Sequence, residues 1–176
     1  MRANGPACTI RPETADDALA VREINRAAFG GEAEADLVAG LWADGDALFG
    51  LVAEAGGRVV GHILFSRLPI AMDSGAVVPA AALAPLAVVP EWQRQGIGSA
   101  LVRQGLDACR ERGVPAVVVL GDPAYYTRFG FRPEVARGLR TPWSGPHLMA
   151  IELTPDALGD GTGVPRYAAA FSRLPD

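Results

Sequence analysis

Between Leu86 and Val102 the chain reads LAVVPEWQRQGIGSALV, and that order leaves little choice of local structure. An apolar run meets a proline turn, passes two glycines spaced as G-x-G and continues at helical spacing. A buried strand must therefore feed through a tight turn into a helix. Glycines at such a junction let the backbone approach a neighbour closely, and the first turn of a helix carries N–H groups with no intrahelical partner. The turn suits a phosphate or pyrophosphate. The same spacing also serves a glycine that only lets the helix pack closely on the strand. A dinucleotide-binding unit is disfavoured, because Gly96-Ile97-Gly98 is followed by Ala100 and Leu101 without a third glycine and arises mid-chain.

The flanking segments extend the pattern. TIRPET, from Thr9, suits one strand. Thr14 caps a helix with Asp16 and Asp17 in its first turn, and Ala18, Val21, Ile24 and Ala28 recur at helical spacing until Phe29-Gly30-Gly31. A second helix is expected in EAEADLVAGLW, with Leu37, Val38, Leu41 and Trp42 on one side. ALFGLVAEA and RVVGHILFSRL, separated by Gly56-Gly57, predict a hairpin. PIAMDSGAVVP reads as a loop, and Ala81 to Val89 as a buried strand. The helix from Ile97 buries Leu101, Val102, Leu106 and Cys109 and stops at Gly113. PAVVVLG is a β-branched strand, so strand, helix and strand imply a parallel pair with a right-handed crossover. DPAYYTRFGF reads as a short helix with Asp122 as cap, Pro123 at its first position and Gly130 as stop. HLMAIEL and VPRYAAAF are expected as closing strands. The expected class is α/β of mixed type, with residues 1–8 a loose tail and 9–176 one domain.

Composition removes several functions. The 176 residues are 49% hydrophobic with a net charge of −4, an ordinary globular balance that argues against nucleic acid as the main partner. No window reaches about 18 consecutive strongly apolar residues, and MRANGPACTI lacks a secretory apolar region. The expected location is the cytoplasm, with no membrane partner. All 16 basic residues are arginine, which excludes a P-loop lysine and a Schiff-base lysine. Cys8 and Cys109, with His62 and His147, show no metal-ligand spacing, so no metal is expected. No GxSxG elbow supports a hydrolase.

QRQGIG, Gln93 to Gly98, resembles the Q/R-x-x-G-x-G/A signature of the GNAT superfamily of acyl-coenzyme A N-acyltransferases, which lies between that family's fourth strand and third helix. YYTRFGF, Tyr125 to Phe131, is similar to its F-Y-x-x-x-G-F block after the fifth strand. With GHILFS, PLAVVPEWQRQGIG and GDPAYYTRFGF together, the chain most resembles the YhbS-like branch. The resemblance implies a mixed, mostly antiparallel sheet with a central parallel pair and flanking helices, over roughly residues 9 to 171. It implies acetyl-CoA as co-substrate, with the pyrophosphate on the turn formed by Gln93, Arg94, Gln95, Gly96, Ile97, Gly98 and Ser99. The pantetheine arm is then expected along the main chain of Leu86, Ala87 and Val88, where Pro85 predicts an irregular strand.

The reaction so implied is direct attack of an amine on the acetyl thioester, through a tetrahedral intermediate. It needs a base, an oxyanion donor and an acid for the departing thiolate. Tyr126 matches the tyrosine of the family block and is expected as the acid, or else as an aromatic packed against the cofactor arm. A one-residue change of helix phase would exchange it with Tyr125. A main-chain N–H between Leu86 and Val88 is the expected oxyanion donor. ALAPLAV lacks the glutamate many members carry on the fourth strand, so the base falls to Glu34, Glu54 or Asp122. Glu34 is best placed, between the first two helices, although a solvated helix-start residue would look the same. Arg128 is either a ligand of the 3′-phosphate or a surface arginine, and His62 is expected as a hydrogen-bonded core residue. Glu32, Glu34 and Asp36 would attract a cationic amine or simply form a solvated face. The expected activity is acetyl transfer to a primary amine of a small molecule, peptide or protein, and homodimers are common in the family. A non-catalytic acyl-CoA sensor of the same fold is the alternative, and a different acyl donor a third.

Overall fold

The computed structural model describes residues 7–175, so most of the expected tail lies outside the described residues. Six strands lie in the order β1 (Thr9–Pro12), β2 (Ala47–Ala55), β3 (Arg58–Met72), β4 (Val77–Val88), β5 (Ala116–Leu120) and β6 (Leu148–Glu152). The seventh, β7 (Gly163–Pro165), pairs with the far end of β3. Every pairing is antiparallel except β4 with β5.

Side chains alternate across a strand, and β3 shows why its run is largely apolar on both sides: both faces are covered. Gly61, Ile63 and Phe65 face α3 (Ile97–Glu111), where a Cβ on Gly61 would press on Ile97 and Leu101. Residues His62, Leu64 and Leu68 face α1 (Ala18–Phe29) and α2 (Ala33–Ala43). Phe65 packs so closely on α3 that a Cβ on Gly105 would overlap its ring. That contact explains a glycine at a helix interior, where it costs about 1 kcal/mol relative to alanine. No helix among the described residues is long and apolar enough to cross a membrane.

The junction of β1 and α1 is held by charge. Thr14 donates its main-chain N–H to Asp17 at 2.8 Å, and the Arg11 guanidinium donates to both Asp17 oxygens at 2.8 Å. Arg11 holds the buried Asp17 carboxyl down at about 2. The helix expected from Thr14 begins with a short 3₁₀ turn, Ala15–Asp17, before α1 proper. The Gly30 C-cap, at φ 76°, ends α1 where the paired glycines predicted.

Two expectations fail. PIAMDSGAVVP is not a loop: β3 runs to Met72 and β4 begins at Val77, with the turn between them. Pro69 pairs with Pro79 in that ladder, and the Pro69 carbonyl accepts from the Arg166 N–H at 2.9 Å, so Pro69 faces away from β4 and the ladder needs no N–H at this pair. VPRYAAAF is not a strand beyond Pro165; Ala169–Arg173 forms a 3₁₀ turn that buries Ala170 and Phe171. Three consecutive alanines carry no alternation and no β-branching to sustain a strand.

Candidate active site

Where β4 and β5 part, the sheet opens. Their parallel pairing is confined to Ala81 with Val117 and Ala82 with Val118, yet β4 continues to Val88. The β3–β4 register slips across Ala84-Pro85, as the proline predicted: Leu83 pairs with Phe65 but Leu86 with Ile63. Val89 donates to the Val60 carbonyl at 3.0 Å. By strand alternation Ala87 also faces β3, while the N–H groups of Leu86 and Val88 face the gap that β5 has left. Of the three main-chain positions expected to meet a ligand, Leu86 and Val88 are free to do so and Ala87 is spent on β3.

Beyond Val88 the chain turns through Pro90–Trp92, and the Gln93 side chain pins the turn by donating to the Val88 carbonyl at 2.9 Å. Arg94, at φ 60°, and Gly96, at φ 86°, adopt left-handed backbone, the second at no steric cost. Gly96 is the N-cap of α3, no side chain caps it, and the first intrahelical bond runs from Ala100 N to Gly96 O. The N–H groups of Ile97, Gly98 and Ser99 are thus left without intrahelical acceptors at the positive end of a 15-residue helix.

These groups open on a cleft of about 550 Å³ lined by Leu86, Val88, Trp92, Gln93, Arg94, Gly96, Gly98, Ser99, Tyr125 and Arg128. Gln95 turns away to bond the Glu91 carbonyl, and the Ile97 side chain is buried in the core, contributing only its amide. Both readings of Gly98 meet here: it lines the cleft, and a Cβ on it would lie 2.9 Å from the Tyr125 hydroxyl. Arg94 and Arg128 bring two guanidiniums to the same wall. Arg128 lies 4.5 Å over the Tyr125 ring and donates to the Tyr125 carbonyl. The chemistry of this wall is that of an anion site.

The aromatic block after β5 is the short helix α4 (Pro123–Tyr126), capped by Asp122, whose Oδ1 accepts from Ala124 N at 2.9 Å. The helix phase separates the two tyrosines. Tyr125 lines the cleft, whereas Tyr126 lies over Gly121 at the end of β5, edge-on to Phe131 at 5.8 Å. Burial, with Tyr125 beside it, raises the Tyr126 phenol above its usual range, so it stays protonated at neutral pH. Its hydroxyl has no hydrogen-bond partner among the described residues.

The expected bases are not gathered at the cleft. Glu34 lies in the first turn of α2, half-buried and outside the cleft lining. Glu54 is held by Arg11 at 2.8 Å on the β1–β2 edge, and Asp122 is occupied as a cap. Trp92 is a cleft residue that sequence reasoning missed, because a tryptophan in a proline turn carries no distinguishing pattern. Cys109 is fully buried and its thiol is pushed up to about 12, as expected of an inert core residue.

A family model described as an acetyltransferase (GNAT) domain matches residues 9–133. The Escherichia coli K12 protein called uncharacterized N-acetyltransferase YhbS is 39% identical over 168 residues, 94% of this chain and 99% of that one. The structure of the E. coli GNAT family N-acetyltransferase YhbS in complex with CoA superposes with a TM-score of 0.89 at 36% identity, covering 99% of this chain and 97% of that one. A GNAT family acetyltransferase from Brucella melitensis, in complex with acetyl-CoA, matches with a TM-score of 0.78 at 34% identity, covering 94% and 98%. The mixed sheet with its parallel β4–β5 pair is the fold they share.

Proposed function

Because the chain belongs to the GNAT family of acetyltransferases, we propose that it moves the acetyl group of acetyl-CoA to a primary amine by direct attack in a ternary complex. The observation that carries this reading is the set of three unpaired α3 amides opening, with Arg94 and Arg128, on the cleft beside the β4 gap. The two relatives solved with CoA and with acetyl-CoA support it. Acetyl-CoA supplies an acetyl thioester whose acyl carbon is open to an amine.

The chain's own groups then divide the work. The amides of Ile97, Gly98 and Ser99 bind the pyrophosphate, and Arg94 and Arg128 add positive charge. The Leu86 or Val88 N–H, free of β3, donates to the oxygen that becomes negative during transfer. Tyr126, protonated and unpartnered beside the end of β5, donates to the departing sulfur. Its raised phenol makes it a hydrogen-bond donor that stabilises a thiolate rather than a strong acid. Glu34 is assigned the proton of the attacking ammonium on its place at the start of α2 and on a carboxylate with no ion-pair partner among the described residues.

Calorimetric titration with acetyl-CoA and CoA, followed by a free-thiol assay across a panel of amines, tests the reading. Tyr126→Phe should lower kcat roughly tenfold to a hundredfold with CoA affinity unchanged. Tyr125→Phe should weaken CoA instead. Glu34→Gln should lower turnover and lift it again at high pH, where the amine is already neutral. CoA binding without thiol release from any amine would favour the sensor, and absence of CoA binding would sink the assignment.

A further inference from the structure

A second cavity, of about 580 Å³, lies in the wedge between α1 and α2. Its walls are apolar: Ala18, Leu19 and Val21 from α1 face Val38, Ala39 and Trp42 from α2. Leu19 is 79% exposed and Trp42 43%, so the mouth is lined by apolar groups that nothing among the described residues covers. The wedge shares no lining residue with the cleft at α3, which opens on the opposite face of the sheet. α1 packs on both β3 and β4.

At the floor of the wedge stands the carboxylate of Glu13, with a side chain only 5% exposed. Its orientation is fixed by groups from four other elements. A Cβ on Gly50 would overlap Glu13 Oε2, so β2 leaves the carboxylate its berth. The Trp42 indole N–H donates to Oε1 at 3.2 Å, and His62 Nε2 lies 2.8 Å from Oε2. Asn25 braces the other side of the His62 ring. Its Nδ2 donates to the Val21 carbonyl at 2.9 Å, which fixes the amide, and the same nitrogen faces His62 Nδ1 at 3.4 Å. His62 thereby bridges Asn25 and Glu13 through its two ring nitrogens, with Nε2 directed at the carboxylate. Asn25 Oδ1 is buried without a partner in this network.

Glu13 is thus met by the Trp42 indole and the His62 ring, and by no arginine among the described residues. The arginines nearby are engaged elsewhere: Arg11 with Asp17 and Glu54, and Arg22, at the rim of the wedge, with Glu32 and Asp36. A buried carboxylate is costly unless a positive charge meets it. Here the carboxylate lines an apolar cavity of the size that takes a small molecule.

We propose that the α1–α2 wedge is a second binding site, for a small ligand that carries an ammonium on an apolar body. The ammonium pairs with Glu13, the apolar body fills the space between Leu19, Val38 and Trp42, and His62 with Asn25 holds the carboxylate in place. The site is a binding site distinct from the acetyl-transfer cleft, and its test does not depend on turnover.

Amide and indole resonances of the full chain are followed while 2-phenylethylamine is added, with 2-phenylethanol as the neutral probe of the same shape. The amine should shift the Trp42 indole N–H and the amides of Ala18 and Val38, and the alcohol should bind roughly tenfold more weakly or worse. Glu13→Gln should weaken the amine by a similar factor. Ala39→Phe, at an exposed position on the wedge wall, should exclude both probes; it keeps the test decisive if Glu13→Gln does not fold. Equal binding of amine and alcohol, no loss in Glu13→Gln, or no shift of the Trp42 indole at millimolar amine would each overturn the proposal.

Discussion

The cleft at the start of α3 and the wedge between α1 and α2 have nearly the same volume, about 550 and 580 Å³, and are built by opposite means. The cleft recognises charge with main chain. Its donors are unpaired amides at a helix start, its two arginines sit at the surface, and most of its lining comes from Leu86 to Ser99. The wedge recognises charge with one buried side chain. Glu13 just after β1, His62 of β3, Asn25 of α1 and Trp42 of α2 meet only because those elements are packed together. A site made of backbone tolerates substitution of most side chains around it but not a change of backbone shape. A site made of one oriented side chain depends on every partner that orients it.

Gly98→Leu tests that contrast with the largest expected effect. The new side chain would enter the cleft with its Cβ 2.9 Å from the Tyr125 hydroxyl, at the point where the helix amides are presented. CoA affinity should fall on the order of a hundredfold or more, while the amine probe still shifts the Trp42 indole. Calorimetry with CoA and the indole titration on one sample give both readings. Loss of both would show the two sites to be coupled.

Gly50→Ala is the mirror experiment. Its Cβ would collide with Glu13 Oε2, pushing the carboxylate from its berth or moving β2. Thermal unfolding should show a loss of about 1–3 kcal/mol, the usual cost of forcing an extra carbon into a packed site. Amine binding should go with it and CoA binding should stay. If CoA binding fell in parallel, strain at β2 would be reaching β4 across the sheet, and the wedge could not be treated as a separate device.

This contrast also explains what was legible in the sequence. The turn from Val88 to Ser99 is continuous, its glycines are required by backbone geometry, and a motif therefore records it. The parallel β4–β5 pair followed from strand, helix and short return. The roles of Tyr125 and Tyr126 could not be separated, because adjacent helical residues differ by about 100° in direction and a four-residue helix offers no period to fix its phase. Ala87 was grouped with Leu86 and Val88 because the sequence does not say which side of β4 faces its partner. Glu13 left no signal: a glutamate one residue before a capping threonine looks like a helix-start acid. Only the unbranched berth at Gly50, 37 residues on, and His62 beyond it reveal that it points inward. Trp42 was grouped on one side of the helix with Leu37, Val38 and Leu41, and it stands half-exposed at the mouth of the wedge while those three are buried.

Acid titration gives the smallest and most regional effect. Asp17 joins β1 to the start of α1, one wall of the wedge, and Arg11 holds its carboxyl down from 3.8 to about 2. A carboxyl depressed in the folded state contributes stability that is fully present above its unfolded value. That contribution is lost as pH falls from about 4 towards 2, because protonation cancels the pairing with Arg11. Arg11 is partly solvent-exposed, which reduces the contribution to about 1 kcal/mol. Asp17→Asn should therefore be less stable than the natural chain at pH 7 by about that amount, with most of the difference gone by about pH 2. Hydrogen exchange should show the first turn of α1 losing protection over this range before the middle turns of α3, whose N-cap is a glycine with nothing to titrate. A stability difference that persisted unchanged to pH 2 would mean that Asp17 acts through shape and hydrogen bonding to Thr14 alone, and that the wedge wall is not held by charge.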